Sequence, residues 1–484
     1  MTMPLAQLLQ NLAPPGPLPS VEVAGLALDS RAIMPGDAFI ALQGQREHGL
    51  AHAPAALAAG ASVVLHDGRG SPPVEISQHC VQVPELELHL AALARRMWDD
   101  PAAALDLVAV TGTNGKSSIA WLLAQAGDGA MIGTLGIGRP GAVAATRHTT
   151  PDLPSLYRAL ARLRDEGLRL VVIEASSHAL DQRRLDGLSL TTAIFTNLGR
   201  DHLDYHRSLE AYGQAKVRLF LDYPSQRQLI DIDDPFGRTL ADELAARPGR
   251  VCYGLEPVHR PDLLGRVLRA DLDGLEMDLE GPPGRLRLRS SLIGRVNARN
   301  LMVVASELLA RGMHPTEVLE RVANLEPVPG RMNRIDGRGG CRAVVDYAHT
   351  PDALANALHC LRELTPRHLI CVFGCGGERD VGKRPQMGRV AEALADRVIL
   401  TNDNPRSEDP IAILREIQAG MARPERARVL ADRGAAIAAA VADCGPGDCV
   451  LVAGKGHERT QDLGDRVIEF CDIDAVRMAV EQAA

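Results

Sequence analysis

Leu105-Asp106-Leu107-Val108-Ala109-Val110 runs directly into Thr111-Gly112-Thr113-Asn114-Gly115-Lys116-Ser117. The first stretch is a short apolar run bounded by polar residues, the pattern of a buried strand. A helical pattern follows through Gln125, so the glycine-bearing segment sits between a strand and a helix. That context gives the loop its chemistry. Gly112 and Gly115 let backbone N–H groups turn inward around phosphate oxygens, and the helix N-terminus adds positive potential. Lys116 has the reach for outer phosphates, and the Ser117 hydroxyl suits a phosphate-bound Mg²⁺. A glycine-rich turn without a ligand is the plain alternative. The loop is shorter than the full Walker A pattern, which points to a subset of nucleotide-binding proteins.

Downstream, Val171-Val172-Ile173 ends in Glu174 and is followed by Ala175-Ser176-Ser177-His178. A carboxylate at the end of a parallel strand beside a phosphate loop is placed to hold Mg²⁺, directly or through water. A surface acid at a strand end is the competing reading. Asn197-Leu198-Gly199-Arg200-Asp201-His202-Leu203-Asp204-Tyr205-His206 also follows an apolar run. His202 and His206 have the i, i+4 spacing of a helical zinc pair, but no glutamate follows in the H-E-x-x-H manner. His202 as a ligand of nucleotide-linked Mg²⁺ is the sharper reading; a capping or core-lining role stays open, above all for His206. Strands alternating with helices continue to the C-terminus, with strand candidates at 341–346, 369–373, 398–401, 429–430 and 450–453. The expected class is α/β with largely parallel sheets, its last third a second doubly wound α/β domain.

Length and composition agree with several domains. The 484 residues exceed what one ordinary core accommodates. Hydrophobic residues make up 46% and charged residues 24%, a soluble globular mix. Net charge is -8, without a basic patch interleaved with aromatics, so no nucleic-acid partner is expected. Nine scattered cysteines form no C-x-x-C pair, and buried reduced thiols are expected rather than disulfides or a zinc site. Met1 to Leu12 lacks a basic region followed by an apolar one, and no window reaches membrane-span length. A cytoplasmic protein is expected.

Taken together, these runs resemble the Mur ligase family. The matching pieces are Thr111 to Ser117, Glu174-Ala175-Ser176-Ser177-His178, Thr196-Asn197-Leu198 with Arg200 to His206, Asp346-Tyr347-Ala348-His349-Thr350-Pro351 and Gly454-Lys455-Gly456-His457-Glu458. The resemblance implies three domains: a small UDP-sugar-binding α/β domain at 1–87, a central P-loop ATPase-type parallel-sheet domain at 88–326, and a Rossmann-like amino-acid-binding domain at 327–484. It also implies a reaction in which ATP turns a carboxylate into an acyl phosphate and an amine displaces phosphate to leave an amide, serving peptidoglycan precursor synthesis. Lys116, Glu174, His202 and Lys216 are then the catalytic set, with Lys216 carbamylated by CO₂. Ser117, Glu174, His202 and carbamylated Lys216 surround Mg²⁺. ATP falls to Gly112, Thr113, Asn114, Gly115, Lys116, Ser117, Ser118, Asn297, Arg331 and Asp346. From composition alone Lys216 is an ordinary helix-surface lysine.

Within the family, His148-Thr149-Thr150-Pro151 resembles an Asn-Thr-Thr-Pro segment that meets the UDP-muramoyl peptide; His148 departs from the usual Asn. By the same resemblance Leu28, Ser30, Gln45, Arg46, Glu47, His148, Thr149, Thr150, Ser176, Gln182 and Arg184 bind UDP-MurNAc-L-Ala-D-Glu. Asp403-Asn404-Pro405-Arg406 resembles the recognition motif of members specific for meso-diaminopimelate, joined by Arg379, Gly454 and Glu458. Arg406 can grip the carboxylate that distinguishes diaminopimelate from lysine. As bare sequence the tetrapeptide reads equally as an Asn-Pro turn. An L-lysine-adding ligase is the nearest alternative, and a nucleotide-gated binding protein or simple ATPase is the alternative from another class. A monomer is expected.

Overall fold

The computed structural model describes residues 2–12, 16–44, 47–282, 284–337 and 340–482. The chain forms two compact units, Met1–Leu263 and Leu264–Ala484. The first unit contains, near its N-terminus, a four-stranded parallel sheet: β1 (Gly25–Ala27), β2 (Asp37–Ala41), β3 (Val63–His66) and β4 (Cys80–Gln82), in that order. Helix α1 (Leu86–Met97) follows and buries Leu86, Leu90, Leu93, Ala94 and Met97, an i, i+4, i+7 stripe.

A larger sheet carries the phosphate loop. Its strands are β5 (Asp106–Thr111), β6 (Ala130–Gly133), β7 (Gly136–Arg139), β8 (Ala142–Ala144), β9 (Leu170–Glu174), β10 (Leu190–Phe195), β11 (Ser225–Asp231) and β12 (Arg250–Gly254). Their spatial order within the unit is β8-β7-β6-β9-β5-β10-β11-β12. Strands β6, β9, β5, β10, β11 and β12 are mutually parallel, and β7 and β8 add an antiparallel edge. The chain leaves β5 for one side of the sheet and returns to place β10 on the other. The carboxyl end of β5 is therefore the topological switch point where α/β sheets bind ligands. Helix α2 (Lys116–Ala126) starts there, and α3 (Leu153–Asp165), α4 (Ser177–Asp181) and α5 (Leu209–Leu221) join later strands.

The second unit opens on an antiparallel meander, β13 (Leu263–Asp271), β14 (Gly274–Gly281) and β15 (Gly284–Ser290), followed by α6 (Arg295–Ala310). Its main sheet comprises β16 (Asn333–Asp336), β17 (Arg342–Asp346), β18 (Leu369–Phe373), β19 (Arg397–Leu400), β20 (Arg428–Val429) and β21 (Cys449–Ala453). The order is β16-β17-β21-β18-β19-β20, parallel except for β16. Alternate strand residues feed two separate cores. Leu369, Cys371 and Phe373 pack on α7 (Pro351–Leu364), α8 (Lys383–Leu394) and α9 (Pro410–Gln418). Ile370 and Val372 pack on α10 (Arg433–Ala442) and α11 (Asp472–Gln482). All five β18 residues are buried, which explains the uninterrupted apolar run. Each such side chain contributes roughly 1.5–3 kcal/mol.

The strands expected at 341–346, 369–373, 398–401 and 450–453 appear within a residue of those limits. One expectation fails. Cys341 and Cys444 form a disulfide, with Cα atoms 5.4 Å apart. The pair joins the start of β17 to the residues after α10, and its 103-residue separation hides it from any local spacing rule. The other seven cysteines are free, and burial pushes the Cys371, Cys375 and Cys449 thiols up to about 12, leaving them unreactive. Among the described residues, no helix is long and apolar enough to cross a membrane.

Candidate active site

The loop after β5 is built on two left-handed glycines, Gly112 at φ 146° and Gly115 at φ 91°. Lys116 folds back over it, its Nζ donating to the Gly112 and Thr113 carbonyls at 2.8 and 2.9 Å. Residues after β10 brace the loop from the other side. Asn197 Oδ1 accepts from Asn114 N, Asn197 Nδ2 donates to Asn114 O, and Thr196 Oγ1 donates to the same carbonyl. A Cβ on Gly112 would lie 1.9 Å from Thr196 Oγ1. Gly112→Ala is therefore expected to destabilise the protein by about 1–3 kcal/mol. It should also weaken ATP-analogue binding at least ~10-fold through the displaced N–H groups. Titration with a fluorescent ATP analogue beside a thermal melt checks both, and unchanged affinity would refute the reading.

Glu174, fully buried at the end of β9, is the junction of this region. Its Oε2 accepts from Ser117 Oγ at 2.8 Å, and its Oε1 from the Thr134 amide at 2.9 Å. The structure thus joins Ser117 to Glu174 directly. Thr134 is not legible in the sequence, since nothing local distinguishes one threonine after a strand.

Lys216 on α5 is only 1% exposed, and its Nζ lies 4.1 Å from the Tyr212 ring centroid one turn earlier. Burial, with the nearby Lys116 charge, pushes its amine down to about 6. Tyr212 also carries the contact to the phosphate loop: its hydroxyl is 3.3 Å from Thr113 Oγ1. His202 lies edge-on to the same tyrosine, with centroids 6.0 Å apart, and to His178 at 4.9 Å. His206 is buried, its Nε2 2.9 Å from Ser177 Oγ, the core-lining role left open above. Lys216 and His202 therefore share the Tyr212 ring, while Ser117 and Glu174 form a second pair. Among the described residues, no group of three or more His, Cys, Asp and Glu could hold a metal by itself.

Five of the residues expected to meet the nucleotide sugar and its peptide, Thr149, Thr150, Ser176, Gln182 and Arg184, are linked through hydrogen bonds. Thr150 Oγ1 donates to the Glu174 carbonyl, and the Thr150 carbonyl accepts from Arg184 Nη1 at 2.7 Å. Gln182 Oε1 takes two further bonds from Arg184, and Ser176 Oγ bonds Thr150. Thr149 Oγ1 meets Thr134 Oγ1 at 3.0 Å, connecting this set to Glu174. Leu28, Gln182 and Arg184 line one cavity of about 280 Å³ with Leu90 and Leu153. Burial lowers the Arg184 pKa. Ser30 begins the turn capped by Asp29, which also binds Arg147 beside His148. The Arg31 guanidinium, against some opposition from burial, holds the Asp29 carboxyl down at about 2. Glu47 is exposed and pairs with His52. Gln45 and Arg46 lie outside the described residues.

In the second unit, Arg379, Asp403, Asn404, Arg406, Gly454 and Glu458 converge on one cavity of about 400 Å³. Pro405 precedes a turn at Arg406 and Ser407, its carbonyl accepting from the Glu408 amide. Asn404 Nδ2 donates to Glu458 Oε2 at 2.9 Å, and buried Lys455 bonds both Asn404 Oδ1 and Glu458 Oε2. Burial opposes the Glu458 charge, but Lys455 and Asn404 hold its carboxyl below the ordinary range. Arg406 adopts φ 52° and donates to the Gly377 carbonyl. Lys455 and Tyr347 were not expected here; a buried lysine at a strand end is legible only once its partners are placed.

Asn297, Arg331 and Asp346 also belong to the second unit. Asn297 Nδ2 donates to the Ile293 carbonyl just before its helix, leaving Oδ1 to Asn300. Asp346, at the end of β17, accepts from the Met332 and Ala348 amides, and burial raises its pKa.

Three family models match in sequence order. They are the Mur ligase family catalytic domain at 22–105, the Mur ligase middle domain at 110–307, and the Mur ligase glutamate ligase domain at 330–456. The chain is 44% identical to the UDP-N-acetylmuramoyl-L-alanyl-D-glutamate--2,6-diaminopimelate ligase of Xylella fastidiosa strain 9a5c, covering 98% of this chain and 97% of that protein. The protein of the same name in Chromobacterium violaceum is also 44% identical, with 93% of each covered. A solved structure carrying this name superposes with a TM-score of 0.74 at 33% identity, over 100% of this chain and 99% of that one. MurF from Acinetobacter baumannii shares the fold at a TM-score of 0.66 and 17% identity, covering 94% of this chain and 95% of that one. The phosphate loop, the Glu174 junction and the buried lysine thus stand in a chain that belongs to the Mur ligase family.

Proposed function

We propose that the chain is an ATP-dependent amide ligase that joins meso-diaminopimelate to the D-Glu of UDP-MurNAc-L-Ala-D-Glu in peptidoglycan precursor synthesis. ATP phosphorylates the D-Glu carboxylate, the diaminopimelate amine attacks that acyl phosphate, and phosphate leaves as the amide forms. Phosphoryl transfer needs positioning and charge neutralisation more than covalent help. The Gly112–Ser118 loop cradles the phosphates, and Lys116 leaves the Gly112 and Thr113 carbonyls to meet them. Asn297, Arg331 and Asp346 contact the rest of the nucleotide.

The oxygen donors of Ser117 and Glu174 suit Mg²⁺. His202 and carbamylated Lys216 would be its further protein ligands, and the ion would offset charge on the phosphates. Carbamylation needs an unprotonated amine, which adds CO₂ and releases a proton; burial keeps the Lys216 amine largely in that form near neutral pH. The Thr150–Ser176–Gln182–Arg184 network with Leu28, Ser30, Glu47, His148 and Thr149 receives the nucleotide sugar and its peptide. Domain limits at 1–87, 88–326 and 327–484, a monomer and a cytoplasmic setting complete the reading.

The observation that carries the choice of amino acid is the convergence of Arg379, Asp403, Asn404, Arg406 and Glu458 on one cavity. Arginines for carboxylates and acids for ammonium match a substrate bearing both groups at its far end. Phosphate release should require ATP, the UDP-muramoyl dipeptide and meso-diaminopimelate together, with L-lysine a poor substitute. Turnover with L-lysine alone overturns the specificity; release without any amine overturns the ligase reading.

A further inference from the structure

The amino-acid cavity rests on a buried ion pair that none of the motifs contains. Arg433 opens α10 and Asp472 opens α11, and both side chains are 0% exposed. Arg433 Nε and Nη2 donate to the two Asp472 oxygens at 2.7 and 2.8 Å. The same guanidinium donates from Nη1 to the Asn402 carbonyl at 3.3 Å and from Nη2 to the Ala453 carbonyl at 3.0 Å. Those carbonyls immediately precede Asp403 and Gly454, which enter the cavity from the ends of β19 and β21. These two strands are separated by β18, so one side chain ties together loops that share no ladder.

Energetics argue that this pair is not there for stability alone. Two ions buried this fully lose hydration that their attraction barely repays, and an apolar pair of similar volume often serves stability as well. An apolar pair cannot donate to two carbonyls. Burial works against the Arg433 charge, but Asp472, Asp403 and Glu458 more than offset it and raise its pKa. The guanidinium therefore also stands behind the two carboxylates that face the cavity.

We propose that Arg433, oriented by Asp472, is a positioning residue that sets the spacing of the Asp403–Arg406 and Gly454–Glu458 segments for the incoming amino acid. This rests on the reading of that cavity as the diaminopimelate site. Misplacement by about 1 Å can lower rates ~100-fold, so a lost tie between the segments has a measurable effect.

Three variants test it: Arg433→Lys, which keeps the charge but loses the fork; Asp472→Asn; and the double change Arg433→Met with Asp472→Leu, which removes both charges. The expected result in each folded variant is a meso-diaminopimelate KM raised about tenfold or more, with ATP and UDP-muramoyl dipeptide KM values within about twofold. A diaminopimelate KM that rises less than about tenfold in a folded variant overturns the proposal. A parallel rise of all three KM values overturns it too, since that marks general loosening. So does failure of all three variants to fold, which makes the pair a folding element. If the wild-type enzyme turns over no diaminopimelate, the assignment of the cavity falls first, and that result is read before any variant is made.

Discussion

Lys216→Met is expected to stabilise the protein while reducing ligase turnover about 10³-fold or more, the scale of losing a group that stabilises transferring phosphate. The stability half follows from the burial. Nζ sits against the Tyr212 ring with no carboxylate pairing it among the described residues, and the amine's pKa falls from 10.5 to about 6. Between those two values the unfolded chain holds a proton that the folded chain has lost, so folding stability rises with pH across that window. The unfavourable contribution is full below pH ~6 and vanishes above pH ~10.5. At pH ~7.5 it is on the order of 4 kcal/mol, from three units at about 1.4 kcal/mol each. Methionine has similar length and no charge to desolvate. Chelated, CO₂-depleted protein should melt several degrees higher as the methionine variant near neutral pH, and the gap should narrow as pH rises toward 10. A lower melting temperature would contradict the burial argument; retained turnover would remove Lys216 from the chemistry.

How legible these features are in the sequence depends on the range over which each is determined. The phosphate loop is local: glycines, a lysine and a serine between an apolar run and a helix reveal it without any partner. The sheet of the second unit is legible for a similar reason. Strands such as Leu369–Phe373 are buried on both faces, so every position is apolar. Glu174 is half legible, because its strand end is visible but its bond to Ser117 spans 57 positions. Lys216 is legible only through family resemblance, since an amphipathic helix containing one lysine looks the same whether the lysine faces water or a tyrosine. Cys341–Cys444 and Arg433–Asp472 lie beyond local reading altogether, since their partners are 103 and 39 positions apart and meet only through the sheet.

Arg406→Lys is expected to raise the KM for meso-diaminopimelate about 100-fold, or 2–3 kcal/mol, the range of charged hydrogen bonds lost from a site. Positive charge is retained, so the loss must come from geometry. Arg406 already uses Nη1 to bond the Gly377 carbonyl, which anchors the guanidinium in the cavity lining. Its backbone is left-handed at φ 52°, and a Cβ on Gly464 would lie 2.1 Å from the Arg406 carbonyl. The side chain therefore leaves a fixed turn, and its remaining N–H groups can meet a carboxylate as a fork. A lysine ammonium cannot bond Gly377 and span both carboxylate oxygens from the same turn. L-Lysine lacks that carboxylate, so its slow turnover should change little, and discrimination between the two amino acids should shrink by the same ~100-fold. Phosphate release measured at varied concentrations of each amino acid, with ATP and the nucleotide sugar saturating, gives both constants. Equal losses for the two amino acids would mean that Arg406 shapes the cavity without reading the carboxylate, and discrimination would then have to come from Arg379.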